Sequence, residues 1–132
     1  MLPVTSLYAG LLAVMLFVLS VHAIRGRIKF HAALGDGGHE ELKRRIRVQA
    51  NFCEYVPFIL LLMVMAELQN ASHILLHGMG ILLVAGRLLH AYSILKTEPL
   101  GKGMKARKAG IAMTFLSLLL GAGYALYAAA MI

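Results

Sequence analysis

The sequence predicts an all-α membrane protein, a bundle of four transmembrane helices in one domain over residues 1–132. Hydrophobic residues make up 60% of the chain, more than a soluble core of this size encloses. The few charged residues are clustered and leave four apolar stretches, each near the roughly 20 residues that a helix needs to cross the hydrocarbon layer. These continuous runs of Leu, Ala, Val and Met argue against the short alternating strands of a barrel.

The first helix is predicted from about Val4 to Ile24. It has no positively charged segment before it, and Arg25, Arg27 and Lys29 follow it at once. This arrangement favours an uncleaved membrane anchor over a signal peptide.

The second helix is predicted from about Val48 to Leu68, with a helical lead-in that starts at about His39, outside the membrane. Before it, the segment 34–38 has the composition of a turn. Two pairs of opposite charge in the lead-in have the favoured spacing of four residues: Glu40 with Arg44 and Glu41 with Arg45.

The third and fourth helices are predicted from about His73 to Leu95 and from about Ala109 to Ile132. Between them, the proline and glycines of the segment 98–103 predict a loop. Gly121 and Gly123 predict close packing of the fourth helix, because small residues let helices approach in lipid.

The cations predict the orientation of the bundle. Lys and Arg are abundant in the segments 25–47 and 96–108, and they are absent from both termini and from the turn at 69–72. The positive-inside rule therefore predicts cytoplasmic basic loops, with the N- and C-termini outside. Topology thus accounts for the net charge of +7 and makes a nucleic-acid partner unnecessary.

No metal site is predicted. Cys53 is the only cysteine, which excludes an intramolecular disulfide and a cysteine-rich metal site. His73 and His77 have a chelating spacing but no third ligand nearby.

Ionisable residues at membrane depth are candidates for function because burying them in lipid is costly. On the second helix Arg47, Asn51 and Glu54 fall within about 60° of arc, with Tyr55 at the edge. The third helix carries Arg87, at a depth similar to that of Glu54, and His90.

Two interpretations of this polar stripe are open. A salt bridge between Glu54 and Arg87 would only hold the bundle together. Arg47, however, has no acidic neighbour three or four residues away. The alternative is a pocket on the cytoplasmic side for a zwitterionic, anionic ligand, with arginine binding carboxylates and Glu54 binding an ammonium group.

The run from Arg47 to Pro57 closely resembles the helix-2 motif of the membrane-associated proteins in eicosanoid and glutathione metabolism, the MAPEG family. The motif has an Arg, then an Asn four residues later, a Glu three residues after that, and a Tyr directly after the Glu. The run from Gly86 to His90 is similar to the helix-3 motif of its prostaglandin E synthase branch. The glycine turn and short loops resemble bacterial members, which implies a bacterial inner membrane.

The resemblance implies a homotrimer that binds glutathione between protomers near the cytoplasmic side. A hydrophobic small molecule or lipid would arrive from the bilayer as the second substrate. The matched positions imply that glutathione is held by seven residues: Arg47, Gln49, Asn51, Glu54, Tyr55, Arg87 and His90.

The family activates the glutathione thiol with an arginine near the start of helix 4, and the best match is Arg107, although Lys105 or Lys108 align as alternatives. Ile94 stands where the prostaglandin branch has a tyrosine, and Tyr92 is a possible substitute. A guanidinium beside a thiol favours the nucleophilic thiolate.

We therefore expect a glutathione-dependent transferase or peroxidase. A non-catalytic lipid- or glutathione-binding scaffold is the main alternative, since the family has a non-enzymatic member. A small cation-coupled exporter that titrates Glu54 is a third possibility, but a fixed arginine partner for Glu54 argues against it.

Overall fold

The computed structural model describes residues 1–131, and four long helices dominate it. All four are long and apolar enough to span a membrane, which confirms the predicted all-α membrane bundle. Their bounds are α1 Pro3–Lys29, α2 Glu40–Leu68, α3 His73–Tyr92 and α4 Lys105–Ala130.

The helices extend beyond their predicted spans at the charged ends. Helix α1 continues through Lys29, and α4 begins at Lys105. Helix α2 begins at Glu40, which confirms the lead-in predicted from His39. The apolar pattern marks only the part of a helix inside the lipid, so it underestimates helices that continue into water. The predicted end of the fourth helix, Ile132, lies outside the described residues.

The predicted loop after α3 begins later than expected. A π-helical turn, Ser93–Thr97, and a 3-10 turn, Glu98–Leu100, continue α3 without a gap. Pro99 is accommodated because it lies near the start of the 3-10 turn, where a backbone N–H has no helical partner to bind. Gly101, with a φ of 73°, then ends the helix in the left-handed conformation.

The four helices form a ring in the order α1, α2, α4, α3. Each helix contacts its two neighbours in this ring, and in residues 1–131 no contact joins α1 to α4. The core between them is apolar, with Leu12, Ile59, Met63, Leu76 and Leu83 almost fully buried. Apolar side chains such as Phe17 and Ile74 cover the outside, as expected of a surface that faces lipid.

Glycines bring α3 and α4 together. A methyl group on Gly86 would lie 2.8 Å from the carbonyl oxygen of Gly110, so neither position has room for a side chain. The prediction for Gly121 is confirmed, because it lies against Leu62 and Met79. The prediction for Gly123 stays a prediction, because an added methyl group there would meet no other helix within the described chain.

Both basic segments lie at one end of the bundle, called the basic end below. Arg44 on α2 and Arg107 at the start of α4 both contact Glu98 there. At the opposite end, the Glu67 carboxylate accepts hydrogen bonds from the backbone N–H groups of Val4 and Thr5, at 2.9 and 2.8 Å. The two basic segments therefore share a side of the bundle, as the sequence predicts.

Candidate functional site

The polar stripe on α2 forms a hydrogen-bonded ion pair. Arg47 Nη1 lies 3.0 Å from Glu54 Oε1, and both side chains are about half exposed. The expectation that Arg47 lacks a local partner is therefore wrong. Seven residues make nearly two turns, so Glu54 returns to the face of Arg47 and its carboxylate is within reach of the long arginine side chain.

Arg87 is buried between α2 and α4, with only 2% of its surface exposed. Its Nη1 donates to Asn51 Oδ1 at 2.5 Å, and its Nε donates to Thr114 Oγ1 at 3.1 Å. The considered salt bridge between Arg87 and Glu54 is absent from residues 1–131. Glu54 and Arg87 lie at similar depth, but this does not make them partners. Asn51 faces Arg87, whereas the Glu54 carboxylate turns along α2 toward Arg47.

Asn51 connects these two groups. Its amide nitrogen lies 3.4 Å from Glu54 Oε2, while its oxygen accepts from Arg87. Thr114 in turn donates to the Gly110 carbonyl oxygen at 2.8 Å. One hydrogen-bonded network therefore runs from the exposed end of Arg47 into the α3–α4 contact, and it fixes the orientation of the α2 stripe.

The other three residues predicted to bind glutathione have different surroundings. His90 is 2% exposed and lies one turn beyond Arg87, where α3 meets Gly110. Tyr55 is partly buried, with its ring 5.5 Å from the ring of Phe115 on α4. Gln49 is not brought to the Arg47–Glu54 pair, because its amide donates to Ser20 Oγ on α1 at 3.0 Å.

Glu98 organises the cations at the basic end. Its side chain is only 10% exposed, and it accepts from Ser93 Oγ at 3.1 Å. Arg44 and Arg107 each place a guanidinium nitrogen 3.5 Å from its carboxylate. Sequence analysis did not select Glu98, although it is the only acid among the cations of the segment 96–108.

This arrangement changes one of the predicted helical pairs. Glu41 binds Arg45 as predicted, at 2.5 Å. Arg44 pairs with Glu98 instead of Glu40, and Glu40 lies 3.5 Å from Lys43. A carboxylate that is mostly shielded from water attracts Arg44 more strongly than a solvent-exposed neighbour on the same helix.

A cavity of about 320 Å³ lies between Arg47 of the α2 stripe and the cluster around Glu98. Arg47 and Arg107 both line it, although they are 60 positions apart in sequence. Cations outnumber acids in its wall, so it suits an anionic ligand that also carries an amine. The complete lining is Glu40, Lys43, Arg44, Arg47, Ile94, Glu98 and Arg107.

Comparison with known proteins finds relatives over most of the chain. The chain is 37% identical over 117 residues to the inner membrane protein YecN of Escherichia coli strain K12 and to its counterpart in strain CFT073. Each match covers 89% of this chain and 86% of the relative. No solved structure matches the chain.

The model of the MAPEG family matches residues 5–127, which include nearly all of the four membrane-spanning helices, the stripe on α2 and the cluster around Glu98. A match over this length, with a four-helix bundle and the polar motif in place, establishes the relationship that the motif predicts. The chain is a membrane protein that belongs to the MAPEG family.

Proposed function

We propose that this protein is a membrane-bound, glutathione-dependent transferase or peroxidase that acts on hydrophobic electrophiles. The observation that carries the proposal is the cavity at the basic end, which Arg47 and Arg107 line together. Glutathione has two carboxylates, an amine and a thiol. The cavity and the adjoining stripe supply cations for the carboxylates and the half-exposed Glu54 for the amine.

In this proposal Arg47, Asn51, Glu54 and Tyr55 bind glutathione from α2, and Arg87 orients Asn51 from α3. His90 is buried against Gly110, so it supports the α3–α4 contact and does not bind the ligand directly. Gln49 binds it from a neighbouring protomer, since its side chain lies toward α1 and away from the stripe. Arg87 is buried and already holds Asn51, so it acts through the orientation of Asn51.

Arg107 has the chemical role. Its guanidinium favours the thiolate over the thiol, whose ordinary pKa is about 8.5, and the released proton passes to solvent. The electron pair on sulfur forms a carbon–sulfur bond with the electrophile as the leaving group departs with its own electron pair. In peroxide reduction the sulfur attacks a peroxide oxygen instead, and the O–O bond breaks to release an alcohol and leave glutathione as a sulfenic acid. The thiol of a second glutathione then displaces water from this sulfur and forms the disulfide.

A homotrimer in the inner membrane is part of the proposal, with cytoplasmic basic loops and both termini outside. The half-exposed ion pair between Arg47 and Glu54 would cost free energy if it faced lipid. A neighbouring protomer that covers the pair would therefore stabilise the assembly. In addition, only 22% of the residues in the apolar stretches of α1 and α4 are buried inside the chain, which leaves an outward face on each helix for another protomer.

A non-catalytic binding scaffold is the second candidate, and one observation favours it. The Arg107 guanidinium lies 3.5 Å from the Glu98 carboxylate, which offsets its charge. A thiol-activating role requires that Arg107 turn toward sulfur when glutathione binds. The exporter is less favoured, because the Glu54 carboxylate is already ion-paired with Arg47.

Two measurements on the detergent-purified chain separate these functions. Calorimetric titration measures glutathione binding, and the conjugation of chlorodinitrobenzene measures turnover. The proposal expects both. Binding without conjugation or peroxide reduction would support the scaffold, and no binding would contradict both the transferase and the glutathione-binding scaffold.

A further inference from the structure

A cleft between α1 and α3 extends away from the proposed glutathione site, and its wide end shares only Glu40 and Arg44 with the wall of that site. Three adjoining cavities form it, with volumes of about 490, 400 and 280 Å³. Leu95 and Lys96 line all three, His22 lines the first two, and Val18 and Leu19 line the last two. These shared walls make one continuous cleft that runs from the basic end along the outside of the bundle.

The wide end of the cleft is cationic. Arg44, Arg45, His22 and Lys96 line it together with Glu40 and Glu41. The two carboxylates already have cationic partners, because Glu40 lies 3.5 Å from Lys43, and Glu41 binds both Lys29 and Arg45.

Unpaired positive charge therefore remains at this end. Within residues 1–131, Lys96 and Arg25 have no carboxylate within 4 Å, and Arg25 lines the second cavity. Arg45 adds a buried Nε that has no hydrogen-bond partner in the described chain. Together these groups favour an anion at the wide end of the cleft.

The narrow end is apolar. Its walls are Met15, Val18 and Leu19 from α1 and Leu88 and Ala91 from α3. The helix rises about 12 Å from Lys96 back to Leu88. The apolar part of the cleft is therefore long enough for a segment of an extended hydrocarbon chain to lie along it. Because this face borders the membrane, lipid is the amphipathic molecule present there at the highest concentration.

We propose that this cleft is a binding site for an anionic phospholipid. Lys96 and Arg25 bind the phosphate at the level where the helices leave the membrane, and an acyl chain lies in the apolar part between Val18 and Leu88. The headgroup charge selects the lipid, since each Lys or Arg near the surface favours an anionic lipid by about 1 kcal/mol.

The test measures lipid affinity of the full chain in detergent by native mass spectrometry, with phosphatidylglycerol and phosphatidylcholine that carry the same acyl chains. We expect preferential binding of phosphatidylglycerol. Lys96→Gln should lower that affinity about fivefold, which corresponds to the loss of one cationic contact. Lys102→Gln, which changes an exposed cation outside the cleft, should leave it unchanged.

A second pair of variants tests the acyl-chain position. Val18→Trp fills the apolar part and should lower the affinity for phosphatidylglycerol, whereas Val14→Trp adds the same bulk at an exposed α1 position outside the described cleft walls and should not. The proposal is overturned if both lipids bind equally, if either cleft variant behaves like its control, or if glycerol 3-phosphate binds as tightly as the lipid.

Discussion

At the scale of single residues, Glu54 has the most informative surroundings. Its carboxylate accepts hydrogen bonds from Arg47 and from Asn51, yet about half of the side chain is exposed. A carboxylate needed only for stability at membrane depth is expected to be covered within its own protomer. Glu54 is instead accessible beside a cationic cavity, as a ligand-binding acid would be.

Glu54→Gln should therefore weaken glutathione binding more than it weakens the fold. The change keeps the size of the side chain but removes the charge that binds the ligand ammonium, so we expect a roughly tenfold lower affinity. The melting temperature should change little, because half-exposed ion pairs contribute little stability.

Calorimetric titration and thermal unfolding check these two effects. Asp36→Asn is the control, because it neutralises an acid in the 34–38 turn, away from the cavity. Equal glutathione affinities for Glu54→Gln and wild type would remove Glu54 from the binding site.

At the scale of helices, the α3–α4 contact positions the site. Gly86 and Gly110 allow the close approach that places Arg87 between Asn51 and Thr114. The orientation of Asn51 on α2 therefore depends on glycines that never touch the cavity.

Gly86→Ala should destabilise the protein, because the added methyl group would lie 2.8 Å from the Gly110 carbonyl oxygen. Overpacking of this kind costs about 1–3 kcal/mol, and thermal unfolding in detergent measures it. Gly123→Ala is the matched control, since the added group there would meet no other helix within the described chain. Equal melting temperatures for the two variants would show that α3 and α4 separate without cost.

Several features of the helices and the site follow from sequence alone, and others do not. Hydropathy gives the four spans, and helical periodicity places Arg47, Asn51 and Glu54 on one face. Periodicity does not choose among partners within reach of a long side chain, so it missed the Arg47–Glu54 pair and overestimated Arg87 as a partner of Glu54. It also missed Glu98, because that residue joins α2 and α4 only after the chain continues past α3 as π and 3-10 turns.

At the scale of the whole molecule, the exposed faces favour assembly. Most residues in the apolar stretches of α1 and α4 are not buried within the described chain, and the Arg47–Glu54 pair is half exposed. We expect native mass spectrometry in mild detergent to give a trimeric mass. A monomer that still binds glutathione with full affinity would show that neighbouring protomers contribute nothing to the site.

Arg107 is proposed to convert bound glutathione into its thiolate. The most direct measurement is the ultraviolet difference absorbance of bound thiolate against pH for wild type, Arg107→Ala and the control Lys108→Ala, which removes an exposed adjacent cation outside the cavity wall.

Wild type and Lys108→Ala should show thiolate well below the ordinary thiol pKa of about 8.5, because a guanidinium beside the sulfur favours the anion. Arg107→Ala should still bind glutathione but form thiolate only near that ordinary value, with slower conjugation. An unchanged titration in Arg107→Ala, or no thiolate in wild type despite glutathione binding, would contradict the account.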